Sequence, residues 1–184
     1  MNTGITLKKS TSIVLLVLVA LALVAWISKG PSPFVISRNP FSYSGSTEWE
    51  DVRFSIKKAG DFTNTIPDLK PDDRMFVDGP YGTFDLENPR MQKGLVLMGG
   101  GIGIAPAMSM VNTIADTGDK RPVYVFYGAL NEDTVCFDLE FEELNGRMNL
   151  TLVKVLEKPL IPEACKHQGY ITKELLLNTS PENY

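Results

Sequence analysis

One stretch limits the fold more than any other part of the chain. It is Gly94-Leu-Val-Leu-Met-Gly-Gly-Gly-Ile-Gly-Ile-Ala-Pro106, continuing into Ala107-Met-Ser-Met-Val111. The apolar run Leu95 to Met98 reads as a short buried strand. Four of the next five residues are glycine (Gly99, Gly100, Gly101 and Gly103, with Ile102 between), which predicts a tight turn. Pro106 suits the first position of a helix, where its missing N–H costs nothing. That helix carries Met108, Met110, Val111 and Ile114. Strand, glycine turn and helix together present bare backbone N–H groups to a phosphate, and the helix N-terminus adds partial positive charge. A buried strand and a turn kept only for packing would give the same pattern.

The length, 184 residues, suits one domain or two small ones. The net charge of −4, with no cluster of Lys or Arg, gives no footprint for nucleic acid. Cys136 and Cys165 lie far apart and lack metal-ligand spacing, so free thiols in a reducing compartment are expected, with a single disulfide as the alternative. The single histidine, His167, cannot build a His-based metal site without distant carboxylates or thiols.

Thr11 to Ser28 is uncharged and mostly apolar, between Lys8-Lys9 and Lys29. A helix of that length spans about 27 Å, just enough for a hydrocarbon core. Trp26 fits an interfacial anchor. A single-pass membrane anchor over residues 1–29 is expected in preference to a cleaved signal peptide. The positive-inside bias is weak, because Lys29 and Arg38 oppose Lys8 and Lys9.

Farther along, Val52 to Lys57 alternates apolar and other residues, which predicts a strand. Gly60 to Pro67 reads as a turn leading into a short helix, with Asp61 or Thr63 as cap. Arg74 to Asp78 reads as another strand. After the glycine turn a helix is expected to end near Gly118. Pro122 to Tyr127 is a buried strand, Asp133 to Asn145 a helix, Leu150 to Leu156 a third strand and Gly169 to Leu177 a last helix. Alternating β and α segments predict a parallel sheet with crossover helices.

Together these residues resemble the ferredoxin–NADP reductase superfamily, and within it the membrane ferric reductase and NADPH oxidase branch. The resemblance runs from about Pro33 to Leu177. It implies a transmembrane helix, then a partial antiparallel β-barrel of the FAD-binding type over residues 30–90, then an incomplete α/β nucleotide-binding domain over residues 91–184. Asn39-Pro40-Phe41-Ser42 matches the branch's flavin motif, with asparagine in the histidine position. By resemblance Phe41 lies beside the flavin, Ser42 hydrogen-bonds its ring, and Arg38 is a candidate for FAD phosphate. Gly60 and Thr63 match the helix that meets the FAD pyrophosphate. Gly79-Pro80-Tyr81-Gly82 matches the segment closing the barrel beside the flavin. Gly99 to Gly103 and Pro106 match the nicotinamide-nucleotide pyrophosphate loop, and Tyr127-Gly128 the adenosine side. Ala129-Leu130-Asn131 follows where many NADP-preferring members carry arginine, which leaves both NADH and NADPH open.

The implied reaction is hydride transfer from NADH or NADPH to FAD, then one-electron delivery to an acceptor, as in ferric reductases. No side chain need act as a general acid or base. The span Thr11 to Ser28 contains no histidine, so it supplies no haem ligands of the branch's kind. Against the family pattern, most barrel strands, a closing Cys-Gly-Pro strand and further membrane spans are absent from the sequence. Two outcomes are expected from this: a membrane-anchored reductase completed by a second chain, or a truncated, non-catalytic, nucleotide-binding remnant. In either case the nucleotide-binding region is expected on the cytoplasmic side.

Overall fold

Among the described residues, three largely apolar strands form the centre of the fold: β1 (Leu95–Gly100), β2 (Val123–Ala129) and β3 (Leu150–Leu156). The computed structural model describes residues 39–87 and 92–180. The strands are parallel, in the order β1-β2-β3, with Leu95 opposite Val123 and Val123 opposite Leu150. Near-continuous apolar runs are what a parallel sheet covered on both faces requires.

Helices supply the covers. On one face α2 (Ala105–Thr117) and α3 (Asp138–Asn145) bury Met108, Val111, Ile114, Phe141 and Leu144 against Leu95, Leu97, Val123, Val125 and Tyr127. On the other face α4 (Lys173–Thr179) brings Leu175 and Leu176 against Phe126, Val153 and Val155. β2 therefore sends alternate side chains into opposite cores, as its period of two demands. α2 ends at Gly118 in the left-handed conformation, φ 69°, where the sequence places its stop. Thr172 caps α4, accepting a hydrogen bond from the Leu175 N–H at 3.2 Å.

Several sequence expectations need correcting here. The helix expected from Asp133 begins at Asp138. Asn131 and Thr134 close a separate 3-10 turn over Glu132–Thr134, and Phe137 at φ 63° then breaks the path into α3. The last helix starts at Lys173 rather than near Gly169. Pro106 is the second residue of α2, because a 3-10 turn, Gly101–Ile104, leads into the helix. Among the described residues, Val52 to Lys57 and Arg74 to Asp78 do not form strands, and residues 40–87 form no barrel. Tyr43 and Phe54 make one isolated antiparallel bridge. Alternation alone cannot make a strand without a neighbour to accept its ladder. The short helix expected after Gly60 is present as α1 (Asp61–Thr65). The membrane span Thr11 to Ser28 lies outside the described residues.

The segment from Ser44 to Trp49 is fastened along α2 by side chains three and four residues apart, which share one helix face. Ser109 Oγ donates to Gly45 O at 2.7 Å and Asn112 Nδ2 to Ser44 O at 3.3 Å. Thr113 Oγ1 accepts from the Thr47 N–H at 3.0 Å, and Asp116 Oδ2 accepts from Trp49 Nε1 at 2.8 Å. Burial raises the Asp116 carboxyl. Hydrogen bonds from Arg147, Ser46 and Trp49 and the Arg147 charge outweigh it, so the net shift is downward. Asp119 is also lowered, first by its hydrogen bond from Arg121. A carboxyl held down in the folded state stabilises above its unfolded value, and that stability is lost as pH falls through the folded value. We therefore expect acid destabilisation to set in from about pH 4 downward. Denaturant midpoints measured from pH 7 to pH 2.5 check this, and Asp116→Asn should flatten the acid limb while lowering the plateau.

Candidate functional site

The carboxyl ends of the three strands open onto a single cleft of about 910 Å³. Open parallel sheets bind ligands at this end of their strands. The floor is the glycine turn: Gly99, Gly100, Gly101 and Ile102 all line the cleft, with Met98 before them. Gly128, Ala129 and Leu130 follow β2, with Asp133, Thr134, Val135 and Cys136 beyond. Glu157 follows β3, and Gly169, Tyr170 and Ile171 precede α4. Ile56 and Lys57 complete the lining.

Gly99 is required by contact. A Cβ there would lie 2.8 Å from Ile104 Cδ1 and 2.9 Å from Ile104 Cα, closer than real Cβ atoms come. The turn folds back so tightly that its own next residues occupy that space. Gly101 adopts φ 51°, the left-handed region that side chains disfavour, and a Cβ on it would meet nothing within 4 Å. The result is exposed main chain at the head of α2. The first N–H groups of a helical segment have no partner within it, and α2 supplies its dipole to whatever binds there. Phosphate oxygens fit this setting, and so does a dinucleotide long enough to run on past β2.

The charges of the lining are uneven. Asp133 and Glu157 are acidic, and Lys57 is the cation among the lining residues. Just outside, Glu132 accepts a hydrogen bond from the Leu160 N–H at 2.7 Å, which holds its carboxyl below the usual range. The Glu157 charge and a hydrogen bond to it push the Tyr170 phenol up, so Tyr170 stays protonated and neutral beside the cleft.

Of the residues expected from sequence to bind cofactor, Gly99, Gly100, Gly101, Ile102 and Gly128 come together in this cleft. Gly103 and Pro106 belong to the same turn and helix but do not line it. Tyr127 is fully buried instead. Its ring packs 6.3 Å from Phe141 and its hydroxyl accepts the Cys136 N–H at 2.8 Å. Burial pushes that phenol up to about 12. Tyr127 thus shapes the cleft wall from behind, by holding the backbone of Cys136.

The residues expected around a flavin lie elsewhere. Phe41 stacks on Phe62 with ring centroids 6.1 Å apart, which brings Pro40-Phe41-Ser42 beside α1. The Thr63 hydroxyl is occupied locally, accepting the N–H groups of Ala59 and Gly60 and donating to Gly60 O. The Gly79–Pro80 peptide is cis. Tyr81 is exposed and donates to Asp78 Oδ1 at 2.8 Å, and Gly82 is exposed beside it. Arg38 lies outside the described residues. Sequence reasoning missed Asp133, Thr134, Cys136, Glu157 and Tyr170. The signal for them was positional, since each follows the end of β2 or β3 or precedes the helix that packs against them.

Residues 97–183 match the family described as the oxidoreductase NAD-binding domain. In sequence and fold the chain is similar to reductases of the ferredoxin–NADP reductase-like superfamily. NADH-cytochrome b5 reductase 2 of Debaryomyces hansenii is 33% identical over 136 residues, which cover 71% of this chain and 44% of that protein. The reductase component of propane 2-monooxygenase from Rhodococcus jostii is 32% identical over 115 residues, 60% of this chain and 31% of that one. The chain thus spans less than half the length of these curated relatives. The CS-b5R domains of human Ncb5or in the NAD+ form share the fold, with a TM-score of 0.62 and 23% identity over 83% of this chain and 48% of that chain. Within the matched region the glycine turn and the strand ends line the cleft, and Ile56 and Lys57 contribute a further wall from outside it.

Proposed function

We propose that this chain is the nucleotide-binding part of an NAD(P)H-dependent flavin oxidoreductase, passing electrons from the nicotinamide through FAD to an acceptor. The observation that carries the reading is the glycine turn at the head of α2, opening onto the cleft at the strand ends. The nicotinamide would supply a hydride and the flavin would take it up. The chain's own part is to hold the pyrophosphate on main-chain N–H groups and the adenosine along the end of β2. The finer reading is ferric reductase-like, and the order Asn39-Pro40-Phe41-Ser42, Gly60 to Thr63, Gly79 to Gly82 supports it. Phe41 and Tyr81 offer exposed aromatic surface suited to an isoalloxazine ring. We extend the proposal to three regions, 1–29, 30–90 and 91–184, with Thr11 to Ser28 as a single-pass anchor and the nucleotide-binding region on the cytoplasmic side. Carbonate extraction and protease protection of membranes test that placement.

A second reading has its own observation. Residues 40–87 form no sheet, and Tyr81 is 82% exposed. This favours a nucleotide-binding module that holds flavin only with a second chain, or not at all.

The purified protein separates the readings. Stoichiometric FAD, seen by its visible absorption and bleached by a nicotinamide nucleotide, supports the reductase. Nucleotide binding without flavin leaves the module, and no nucleotide binding overturns both. Between the two nucleotides, the lining favours the one without a 2′-phosphate. That phosphate would add a dianion to a cleft that already holds Asp133 and Glu157. NADH is expected to bind about tenfold or more tightly than NADPH in parallel titrations.

A further inference from the structure

Ile56 and Lys57 line the nucleotide cleft, yet they lie far upstream of residue 97, where the NAD-binding match begins. Arg53 lies three residues before Ile56 on the same segment. The Arg53 guanidinium donates to both carboxylate oxygens of Glu140, at 3.2 and 2.7 Å, and to Ser44 O. It also lies 4.9 Å from the ring centre of Trp49 and 5.7 Å from that of Phe137. Asn112 on α2 donates to the same Glu140 oxygen at 2.7 Å. Phe137 directly follows Val135 and Cys136, which line the cleft. One guanidinium therefore fastens two separate stretches of the lining.

The chemistry of this hub is specific. A planar guanidinium can fork onto a carboxylate, bond a carbonyl and stack on rings at once, whereas an ammonium cannot. Arg53 and Glu140 are only 33% and 24% exposed, so water screens the pair incompletely.

We propose that Arg53 and Glu140 are positioning residues for the nucleotide, holding the Ile56–Lys57 wall in place so that the cleft is complete. This rests on the nucleotide-binding reading above. A ligand that binds only the docked arrangement sees its affinity divided by the fraction of molecules that are docked. If losing the pair leaves about one molecule in ten docked, the apparent Kd rises about tenfold.

The test uses the full-length protein and ADP-ribose, the part of the nucleotide that does not react. Arg53→Met is expected to weaken ADP-ribose binding about tenfold by calorimetry. Glu140→Gln, which keeps size and hydrogen-bonding atoms, should weaken it about threefold, and it carries the test if Arg53→Met does not fold. Arg121→Met removes another arginine–carboxylate ion pair, Arg121–Asp119 at 2.6 Å, neither residue of which lines the cleft. Its Kd should match the wild type even where its melting temperature falls. Hydrogen exchange adds a readout that lost stability alone would not move. ADP-ribose should slow exchange across residues 52–58 in the wild type and fail to do so in the Arg53 or Glu140 variant. Variants that fold and bind ADP-ribose within about twofold of the wild type would overturn the inference. A wild type that binds no ADP-ribose would overturn the nucleotide reading itself, a result the variants cannot mimic.

Discussion

Phe141→Ala is expected to destabilise the protein by about 3–5 kcal/mol, a large part of the roughly 5–15 kcal/mol margin of an ordinary domain. Phe141 is 1% exposed and lies in the core between α3 and the sheet. Removing the ring would leave a void beneath Tyr127, whose ring centre is 6.3 Å away. Tyr127 in turn holds the Cys136 N–H at the cleft wall, so the loss would spread from the core to the site. Leu139 is the internal control. It sits two residues away on the same helix but is 82% exposed, and Leu139→Ala should change stability by less than about 0.5 kcal/mol. Urea unfolding followed by far-ultraviolet circular dichroism measures both. A midpoint for Phe141→Ala equal to that of Leu139→Ala would refute the packing argument.

Gly99→Ala is expected to cost about 1–3 kcal/mol of stability and to weaken nucleotide binding by more than about tenfold. The atom that obstructs the added methyl is not only a movable side-chain end. Ile104 Cα stands 2.9 Å away, so relief requires the backbone of the turn to shift. That backbone is the surface on which a pyrophosphate would rest. Gly103→Ala provides the contrast, because a Cβ there meets nothing within 4 Å. It lies in the same turn and outside the lining, so both stability and affinity should stay near wild type. Thermal unfolding and an NADH titration on the two variants separate crowding from composition. Equal effects at Gly99 and Gly103 would mean that the turn's tight return does not matter.

The nucleotide-binding half was largely readable before its structure. Leu150 to Leu156 is mostly apolar, interrupted only by Thr151 and Lys154, and β3 has those bounds. Gly118 marks the end of α2 because a left-handed residue closes a helix and glycine adopts that conformation without cost. These features are local, and local signals survive in sequence. The start of α3 was misplaced because Asn131 and Thr134 bond each other first, a competition that helical periodicity does not register. Val52 to Lys57 shows the opposite failure. Its alternation is real, but a strand is defined by its neighbour, and Tyr43–Phe54 is the bridge it finds among the described residues. The cleft was legible in its glycines and not in Asp133, Cys136 or Glu157, which carry no motif and earn their place only from where the strands end. The role of Tyr127 was hidden for a similar reason. Its neighbour Gly128 reaches the cleft, while period two turns Tyr127 itself into the core.

The strand order has a consequence for synthesis. In space the sheet follows the order of the chain, each new strand pairing with the one made just before it. On a ribosome β2 can join β1 as soon as α2 has emerged, and β3 can join β2 in the same way, so no strand must wait for a later one. The arm that carries Arg53 is in the reverse position. It is made before the sheet exists, and its partner Glu140 follows 87 residues later. That contact closes the longest loop of the Arg53 hub, and the Ile56–Lys57 wall of the cleft is secured only after Glu140 has been synthesised.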